Sequence, residues 1–201
     1  RRVSSLKQQD DGVFCAVMDE GTEVCAKAVV VATGVQYRRL SIPRLEDFEG
    51  IGIYYAATDV EARYCRETEA IVVGGGNSAG QAAMYLSRTA SHVHVLVRGA
   101  SLAASMSDYL LSRLEADPAI TIHYNTEITA LHGERHLECV TIHNKAKGQD
   151  QEIAARAAFI MVGAAPNTAW LSGLVALDDK GFVLTGAAVD KTTPYETSPP
   201  G

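Results

Sequence analysis

The sequence lacks the long hydrophobic runs and the basic patches that would assign it to a membrane or to nucleic acid. Its longest apolar runs have the length of a β-strand, far short of the roughly 20 residues that a membrane-spanning helix needs. The 201 residues carry a formal net charge of −6, and no cluster of lysine and arginine is interleaved with aromatic residues. No apolar segment typical of a secretory leader follows the polar start of the chain. We therefore predict neither a membrane partner nor a nucleic-acid partner.

Cysteine is scarce and is not arranged as a metal site. The sequence contains four cysteines, at Cys15, Cys25, Cys65 and Cys139. They form no C-x-x-C pair and no zinc-finger spacing, and the histidines lack a Cys or carboxylate that would complete a metal shell. We predict no metal site, and this cysteine usage favours a reducing compartment and a cytoplasmic location.

The glycine-rich stretch from Ala70 to Gly80 is the most informative part of the chain. It has the pattern of a β-branched strand, a tight turn and the first turn of a helix, which is the layout of a dinucleotide-binding crossover. In this pattern Gly74 allows the sharp turn, Gly76 leaves room for a pyrophosphate, and Ala79 lets the helix approach the sheet. The free N–H groups of the first helical turn would face the phosphates. We predict that these residues bind the nucleotide: Gly74, Gly75, Gly76, Asn77, Ser78 and Ala79.

A single arginine bears on the choice of nucleotide. The next predicted strand, His92 to Val97, ends at Arg98, 22 residues after Gly76. An NAD-selective site usually carries an acidic residue there, whereas an arginine can bind the 2′-phosphate of NADP. We therefore favour NADPH as the cofactor, with NADH as the alternative if Arg98 is only a solvated surface charge.

The rest of the chain predicts an α/β fold. Alternating apolar residues predict strands near 12–18 and 22–25, and an apolar run follows over 28–32. A helix is expected near Leu102 to Ala116, with Ser105 and Asp108 as a capping pair. Four strand-like runs between Ile120 and Ala155 predict an antiparallel meander, and a buried strand is expected over 159–163. The central part is thus predicted to be a Rossmann-like domain, in which a parallel sheet with helices carries an antiparallel β-meander.

Several further motifs occur together with the glycine turn. They are Val29 to Gly34, Gly50 to Thr58, Gly74 to Gly80, Val97 with Arg98, and Val162 to Thr168. With these motifs the chain resembles the thioredoxin-reductase branch of the pyridine nucleotide-disulfide oxidoreductases, which are flavoproteins. The resemblance implies an NAD(P)H-binding domain over residues 49–166, inserted between parts of an FAD domain over residues 1–48 and 167–201.

The resemblance also assigns further binding residues. It implies that Val162 and Gly163 contact the adenosine or ribose side of NAD(P)H, and that Ala32, Thr33 and Gly34 contact FAD in the intact protein. It further implies that the chain is an internal segment of a longer flavoprotein, and such a segment is expected to be inactive alone.

The chain departs from the family pattern at the redox disulfide and at the phosphate site. Ala56 and Asp59 occupy the two cysteine positions of the family's redox motif. Cys65 lies close in sequence and could act alone, but a lone thiol cannot complete dithiol–disulfide exchange within one subunit. We expect Cys65 to be a small residue that fills space in a buried or half-buried position. Arg98 is the single cation left of the family's arginine run, because the later position is Ala103, and this weakens the expected preference for NADPH.

The leading hypothesis is a flavin-dependent oxidoreductase, in which a hydride passes from NAD(P)H to FAD and then to an unidentified acceptor. The acceptor could be a disulfide of another protein, ferredoxin or a quinone. The alternatives are a ferredoxin-NADP reductase of the thioredoxin-reductase-like type and a non-catalytic nucleotide-binding module. We assign no catalytic residue in this chain, because the cofactors would supply the redox chemistry. Homodimers are common among relatives, and a homodimer is one option here.

Overall fold

A computed structural model describes residues 2–199. The strands in chain order are β1 (Val3–Gln8), β2 (Phe14–Met18), β3 (Glu23–Ala26), β4 (Val35–Tyr37), β5 (Ile53–Tyr54), β6 (Glu69–Val73), β7 (His92–Val97), β8 (Ile120–Tyr124), β9 (Thr126–His132), β10 (Cys139–Asn144), β11 (Gln149–Ile153), β12 (Ala155–Ile160) and β13 (Ala164–Pro166). The α-helices are α1 (Leu45–Phe48), α2 (Asp59–Ala62), α3 (Asn77–Leu86) and α4 (Asp108–Ala116). Short 3-10 helices cover Arg63–Cys65, Ala169–Leu171 and Gly186–Val189.

Contacts divide the chain into two compact units. The central unit runs from Tyr37 to Gly163, and the outer unit combines the chain up to Gln36 with the chain from Ala164 onward. The central unit includes Leu45 and Phe48, which are buried in one of its cores. The assignment of these units to NAD(P)H and FAD stays a prediction.

A five-stranded parallel sheet forms the middle of the central unit, in the order β5-β12-β6-β7-β8. Helix α3 connects β6 to β7, and α4 connects β7 to β8. The strand-like run at Ile120 was expected in the antiparallel meander, and this prediction was wrong. It pairs in parallel with β7 from Val93↔Ile120 to Val97↔Tyr124, because the α4 crossover returns the chain to the same end of the sheet.

The two faces of this sheet bury different partners. Alternate residues of β6 and β7 pack against the helices, among them Val72 and Val95. Ala79, which was predicted to let α3 approach the sheet, is fully buried there, as is Ala83. The other residues, such as Ile71 and Leu96, pack against the antiparallel sheet β11-β10-β9. The predicted parallel sheet with helices and a meander is therefore present.

Helix α4 begins later than the sequence suggests. It starts at Asp108 instead of near Leu102, and its N-cap residue, Ser107, makes no side-chain capping hydrogen bond. The expected pairing of Ser105 with Asp108 is absent, because the Ser105 hydroxyl donates to the carbonyl oxygen of Gly75 at 2.6 Å. The residues before α4 thus form a loop that contacts the glycine turn.

The outer unit contains the three-stranded antiparallel sheet β1-β2-β3, and β13 pairs with β4 in a two-stranded sheet. Cys15 of β2 lies directly opposite Cys25 of β3, and the two form a disulfide. The sequence analysis missed this bond because the hairpin, and no recognisable motif, brings the two residues together. Since disulfides are typical of oxidising compartments, the cysteines no longer favour the cytoplasm. The apolar run that follows β3 is irregular, and its Val30 is 90% exposed.

Within residues 2–199 no helix has the length and apolar character needed to cross a membrane. Over the same range no group of three or more His, Cys, Asp or Glu side chains is arranged to hold a metal ion.

A chain of hydrogen bonds links polar side chains on the edge half of the parallel sheet. Glu69 contacts His94 Nε2 at 2.9 Å, and His94 Nδ1 contacts His123 Nε2 at 2.9 Å. Burial, with a smaller contribution from His94, lowers the pKa of His123 from 6.5 to about 4. Burial also lowers the pKa of His94.

These histidines predict a loss of stability in mild acid. The unfolded chain binds a proton at His123 below pH 6.5, whereas the folded chain resists protonation until about pH 4, so the stability present above pH 6.5 falls as the pH drops through this window. We expect wild type to lose about 2 kcal/mol more unfolding free energy between pH 7 and pH 4 than His123→Gln. Urea unfolding at several pH values measures this difference, and parallel pH profiles for the two proteins would contradict it.

Candidate nucleotide-binding site

The glycine turn lies at the carboxyl edge of the parallel sheet. Gly74 directly follows β6 and has a φ of 150°, a conformation that side chains rarely adopt. A Cβ on Gly74 would lie 2.4 Å from the carbonyl oxygen of Met161, so the turn fits tightly beside the neighbouring strand. The Gly74 N–H donates to the Leu96 carbonyl at 3.1 Å. Gly74 therefore shapes the turn, and its amide is already engaged within the sheet.

The residues that follow Gly74 in the glycine-rich stretch form the N-terminus of α3. Gly76 is the N-cap residue and makes no side-chain cap, and the N–H of Gly80 donates to the Gly76 carbonyl at 3.1 Å. The amides before Gly80 lie in the first turn, where no intrahelical acceptor exists. A Cβ on Gly76 would meet only the carbonyl oxygen of Ser105, at 3.9 Å. The site therefore offers free backbone donors, the positive end of a helix dipole and open space beside Gly76, which suit a pyrophosphate.

The side chains of this first turn differ in what they can contribute. Asn77 and Ser78 are exposed, whereas Ala79 is fully buried against the sheet. Ala79 could therefore reach a ligand only through its backbone. Asn77 also holds the neighbouring loop, since its Oδ1 accepts from the N–H of Ser107 at 2.9 Å.

The loop between β7 and α4 is attached to the glycine turn by two hydrogen bonds. One is donated by the Ser105 hydroxyl to Gly75, and the other is donated by Ser107 to Asn77. Sequence analysis missed both serines as site residues. The sequence could have indicated them, because the loop that follows the second strand of a crossover begins at the same edge of the sheet as the glycine turn.

Arg98 and Gly163 share this edge with the glycine turn. Val73 is level with Leu96 of β7 and with Ile160 of β12, so the residues that follow these strands come to one side of the sheet. Arg98 is exposed there. Gly163 is also exposed, with a φ of 92° and no atom within 4 Å of a Cβ built on it. Val162 is half-buried and packs against the core between the parallel sheet and the antiparallel sheet β11-β10-β9.

The flavin-side segment predicted from the resemblance lies in the outer unit. Ala32, Thr33 and Gly34 are exposed. Thr33 and Asn167 exchange two hydrogen bonds of 3.1 Å, from the Thr33 hydroxyl to the Asn167 carbonyl and from Asn167 Nδ2 to the Thr33 carbonyl. These bonds fix the segment to the chain after β13. Its contact with FAD stays a prediction.

One of the two positions of the family's redox cysteines, Asp59, is the first residue of α2 in this chain. Thr58 caps α2 and forms a capping box with Glu61, while Asp59 accepts a hydrogen bond from the Tyr85 hydroxyl. Cys65 is fully buried, and burial raises the pKa of its thiol. The prediction that Cys65 is a buried filler is confirmed, since a buried neutral thiol is a poor nucleophile.

The parallel sheet, the glycine turn at its carboxyl edge and the open helix N-terminus define a dinucleotide-binding α/β protein. Comparison with known proteins gives the family. A family described as pyridine nucleotide-disulphide oxidoreductase matches residues 1–197. The chain belongs to the pyridine nucleotide-disulphide oxidoreductase family.

Individual relatives agree with this assignment. The chain is 37% identical over 172 residues to a thioredoxin reductase of Streptomyces clavuligerus, covering 86% of this chain and 52% of that protein. Its fold is similar to thioredoxin reductase from Streptococcus pyogenes, with a TM-score of 0.79 at 28% identity over 100% of this chain and 62% of the other. It is also similar to thioredoxin reductase from Giardia duodenalis, with a TM-score of 0.81 at 26% identity over 98% and 62%. The predicted resemblance is confirmed, and the chain spans about half the length of the first of these relatives.

Proposed function

We propose that this chain is the NAD(P)H-binding part, with flanking FAD-domain segments, of a flavin-dependent oxidoreductase. The observation that carries the proposal is the open space beside Gly76 at the N-terminus of α3, on the carboxyl edge of a parallel sheet. When bound, NAD(P)H supplies a hydride and FAD accepts it. The chain's own residues bind the pyrophosphate, orient the nucleotide and distinguish NADPH from NADH at the 2′-position of the ribose.

The binding residues divide this work by position. The amides from Gly75 to Ala79 would donate to the pyrophosphate, and the α3 dipole would favour its charge. Arg98 would bind a 2′-phosphate, and Gly163 offers room for the ribose or adenosine at the adjacent strand end. Ala32, Thr33 and Gly34 would contribute to FAD binding in the whole protein.

The electron acceptor differs from the usual internal disulfide. Because Ala56 and Asp59 replace the family's cysteine pair, electrons would leave the flavin for an external acceptor. A disulfide of another protein is one candidate, since the relatives are named thioredoxin reductases. Ferredoxin, which would make the protein a ferredoxin-NADP reductase, and a quinone are the others. A homodimer and a cytoplasmic location also remain proposals for the whole protein, and the location no longer draws on the cysteines, two of which form a disulfide.

Purification of the whole protein tests the proposed function. We expect a yellow protein whose flavin absorbance bleaches when NADPH is added under anaerobic conditions. A colourless protein that still binds nucleotide would overturn the oxidoreductase proposal and support a non-catalytic binding module.

The role of Arg98 predicts a selective loss of affinity. Arg98→Ala is expected to weaken NADPH binding by about 1.5–3 kcal/mol, the contribution of a charged hydrogen bond, and to leave NADH binding nearly unchanged. Titration calorimetry with both nucleotides measures the effect. Arg88→Ala is the matched control, because Arg88 is also exposed but lies beyond the far end of α3. Equal losses for NADPH and NADH would show that Arg98 does not bind the 2′-phosphate.

A further inference from the structure

The two sulfurs of the Cys15–Cys25 disulfide have different surroundings. Cys15 lies on the middle strand β2 and is only 2% exposed, whereas Cys25 lies on the edge strand β3, whose residues are all exposed. A thiolate in solution can therefore approach Cys25 but not Cys15. This asymmetry fixes which sulfur is attacked and which one leaves.

A hydrogen-bond donor stands beside the sulfur that would leave. The side-chain amide of Gln9 donates from Nε2 to Cys15 Sγ at 3.1 Å. Gln9 is held at the turn after β1, where its N–H donates to the Val13 carbonyl at 2.8 Å. A hydrogen bond to a sulfur that gains negative charge stabilises the thiolate and makes it a better leaving group.

The hairpin does not depend on the disulfide to stay closed. Backbone pairing joins β2 and β3 on both sides of the disulfide, at Phe14↔Ala26 and Ala16↔Val24. The turn is closed by a hydrogen bond from the Met18 N–H to the Thr22 carbonyl at 2.9 Å. Reduction would thus leave the two thiols opposite each other, ready to be oxidised again.

We propose that Cys15–Cys25 is a thiol–disulfide exchange site that accepts electrons from an external dithiol. One thiolate of the dithiol attacks Cys25 Sγ, the Cys15–Cys25 bond breaks, and its electron pair goes to Cys15 Sγ beside the Gln9 amide. The second thiolate of the dithiol then attacks the mixed disulfide and releases the Cys25 thiolate. The dithiol is oxidised to a disulfide, and the two cysteine sulfurs gain two electrons and, after protonation, two protons. The site lies in the outer unit and does not depend on the nucleotide site.

Differential alkylation with peptide mapping tests whether the pair reacts in the folded protein. The intact protein is treated with dithiothreitol without denaturant and then labelled with a maleimide. We expect the Cys25 peptide to be protected before treatment and labelled after it, whereas the peptides of the buried Cys15 and Cys65 take the label only when denaturant is added to the reduced protein. Protection of Cys25 that ends only in denaturant, or free Cys15 and Cys25 thiols in the protein as purified, would overturn the proposal.

Single-cysteine variants test the direction of attack. Cys15→Ser leaves the exposed Cys25 thiol, which we expect to form a mixed disulfide with oxidised glutathione at least tenfold faster than the Cys15 thiol left by Cys25→Ser. Equal rates, or a faster Cys15, would contradict the assigned order of attack. Gln9→Leu keeps both cysteines, and we expect it to slow reduction about threefold through a poorer leaving group. An unchanged rate would exclude the role given to Gln9.

Discussion

Replacing Gly76 with valine is expected to abolish NAD(P)H binding while the protein stays folded. The φ of Gly76 is −99°, which any residue adopts, and the nearest atom to an added Cβ is the carbonyl oxygen of Ser105 at 3.9 Å. A valine therefore fits the fold, but its branched side chain fills the space in which the pyrophosphate would approach the amides of α3. The loss of even one charged hydrogen bond, about 1.5–3 kcal/mol, weakens affinity about tenfold to more than a hundredfold.

Nucleotide titration beside a thermal melt separates binding from folding in this variant. Gly99→Ala is the matched control, because its Cβ would meet only the Ser101 carbonyl, at 3.7 Å, and Gly99 lies in the loop outside the helix N-terminus. We expect the control to bind NAD(P)H like wild type and both variants to melt like wild type. Wild-type affinity in Gly76→Val would show that the glycine turn is not the nucleotide site.

Replacing Gly74 with alanine is expected to destabilise the protein by about 3–5 kcal/mol, because two costs add. The φ of 150° is strained for any residue with a side chain, and the new Cβ would lie 2.4 Å from the Met161 carbonyl oxygen. That oxygen belongs to the backbone directly after β12, so relief of the clash has to separate two neighbouring strand ends. Gly74 and Gly76 are thus both required, the first for the fold and the second for the ligand.

Urea unfolding of the same protein measures this loss of stability. Gly148→Ala is the control, because Gly148 also has a positive φ, 62°, but an added Cβ meets nothing within 4 Å. We expect the control to lose only about 1–2 kcal/mol, the cost of the left-handed conformation alone. A similar small loss in Gly74→Ala would mean that the strand ends separate easily and that the turn is not tightly packed.

The features predicted correctly are those that short-range pattern determines. The strand before Gly74, the turn itself and the close packing of Ala79 on the sheet follow from residue types a few positions apart, so the sequence alone identifies the dinucleotide-binding crossover. Periodicity says nothing about strand partners, and the strand from Ile120 to Tyr124 was therefore placed in the wrong sheet. Its partner is set by the α4 crossover, which is a tertiary property.

The candidate site shows the same limit. Arg98 follows one predicted strand and Gly163 ends another, so both could be placed at the carboxyl edge of the sheet, and the structure puts both at that edge. The link from Ser105 to Gly75 could not be predicted, because Ser105 looks like a helix-capping residue at the sequence level. The Cys15–Cys25 disulfide was missed for a similar reason, since the register of a hairpin decides which residues face each other.

The position of β12 has a consequence for biosynthesis. Strand β6 ends at Val73, but its neighbour on one side, β12, begins only at Ala155, after two helices and the whole meander have been made. While the ribosome is still adding those residues, the backbone N–H and C=O groups along that side of β6 have no permanent partner. The nascent chain therefore exposes an unpaired, apolar strand edge that is prone to aggregation. Pairing over so long a stretch of chain is also slow to form. Chaperones that bind nascent chains would therefore matter most after Val73 has left the ribosome and before Ile160 has been synthesised.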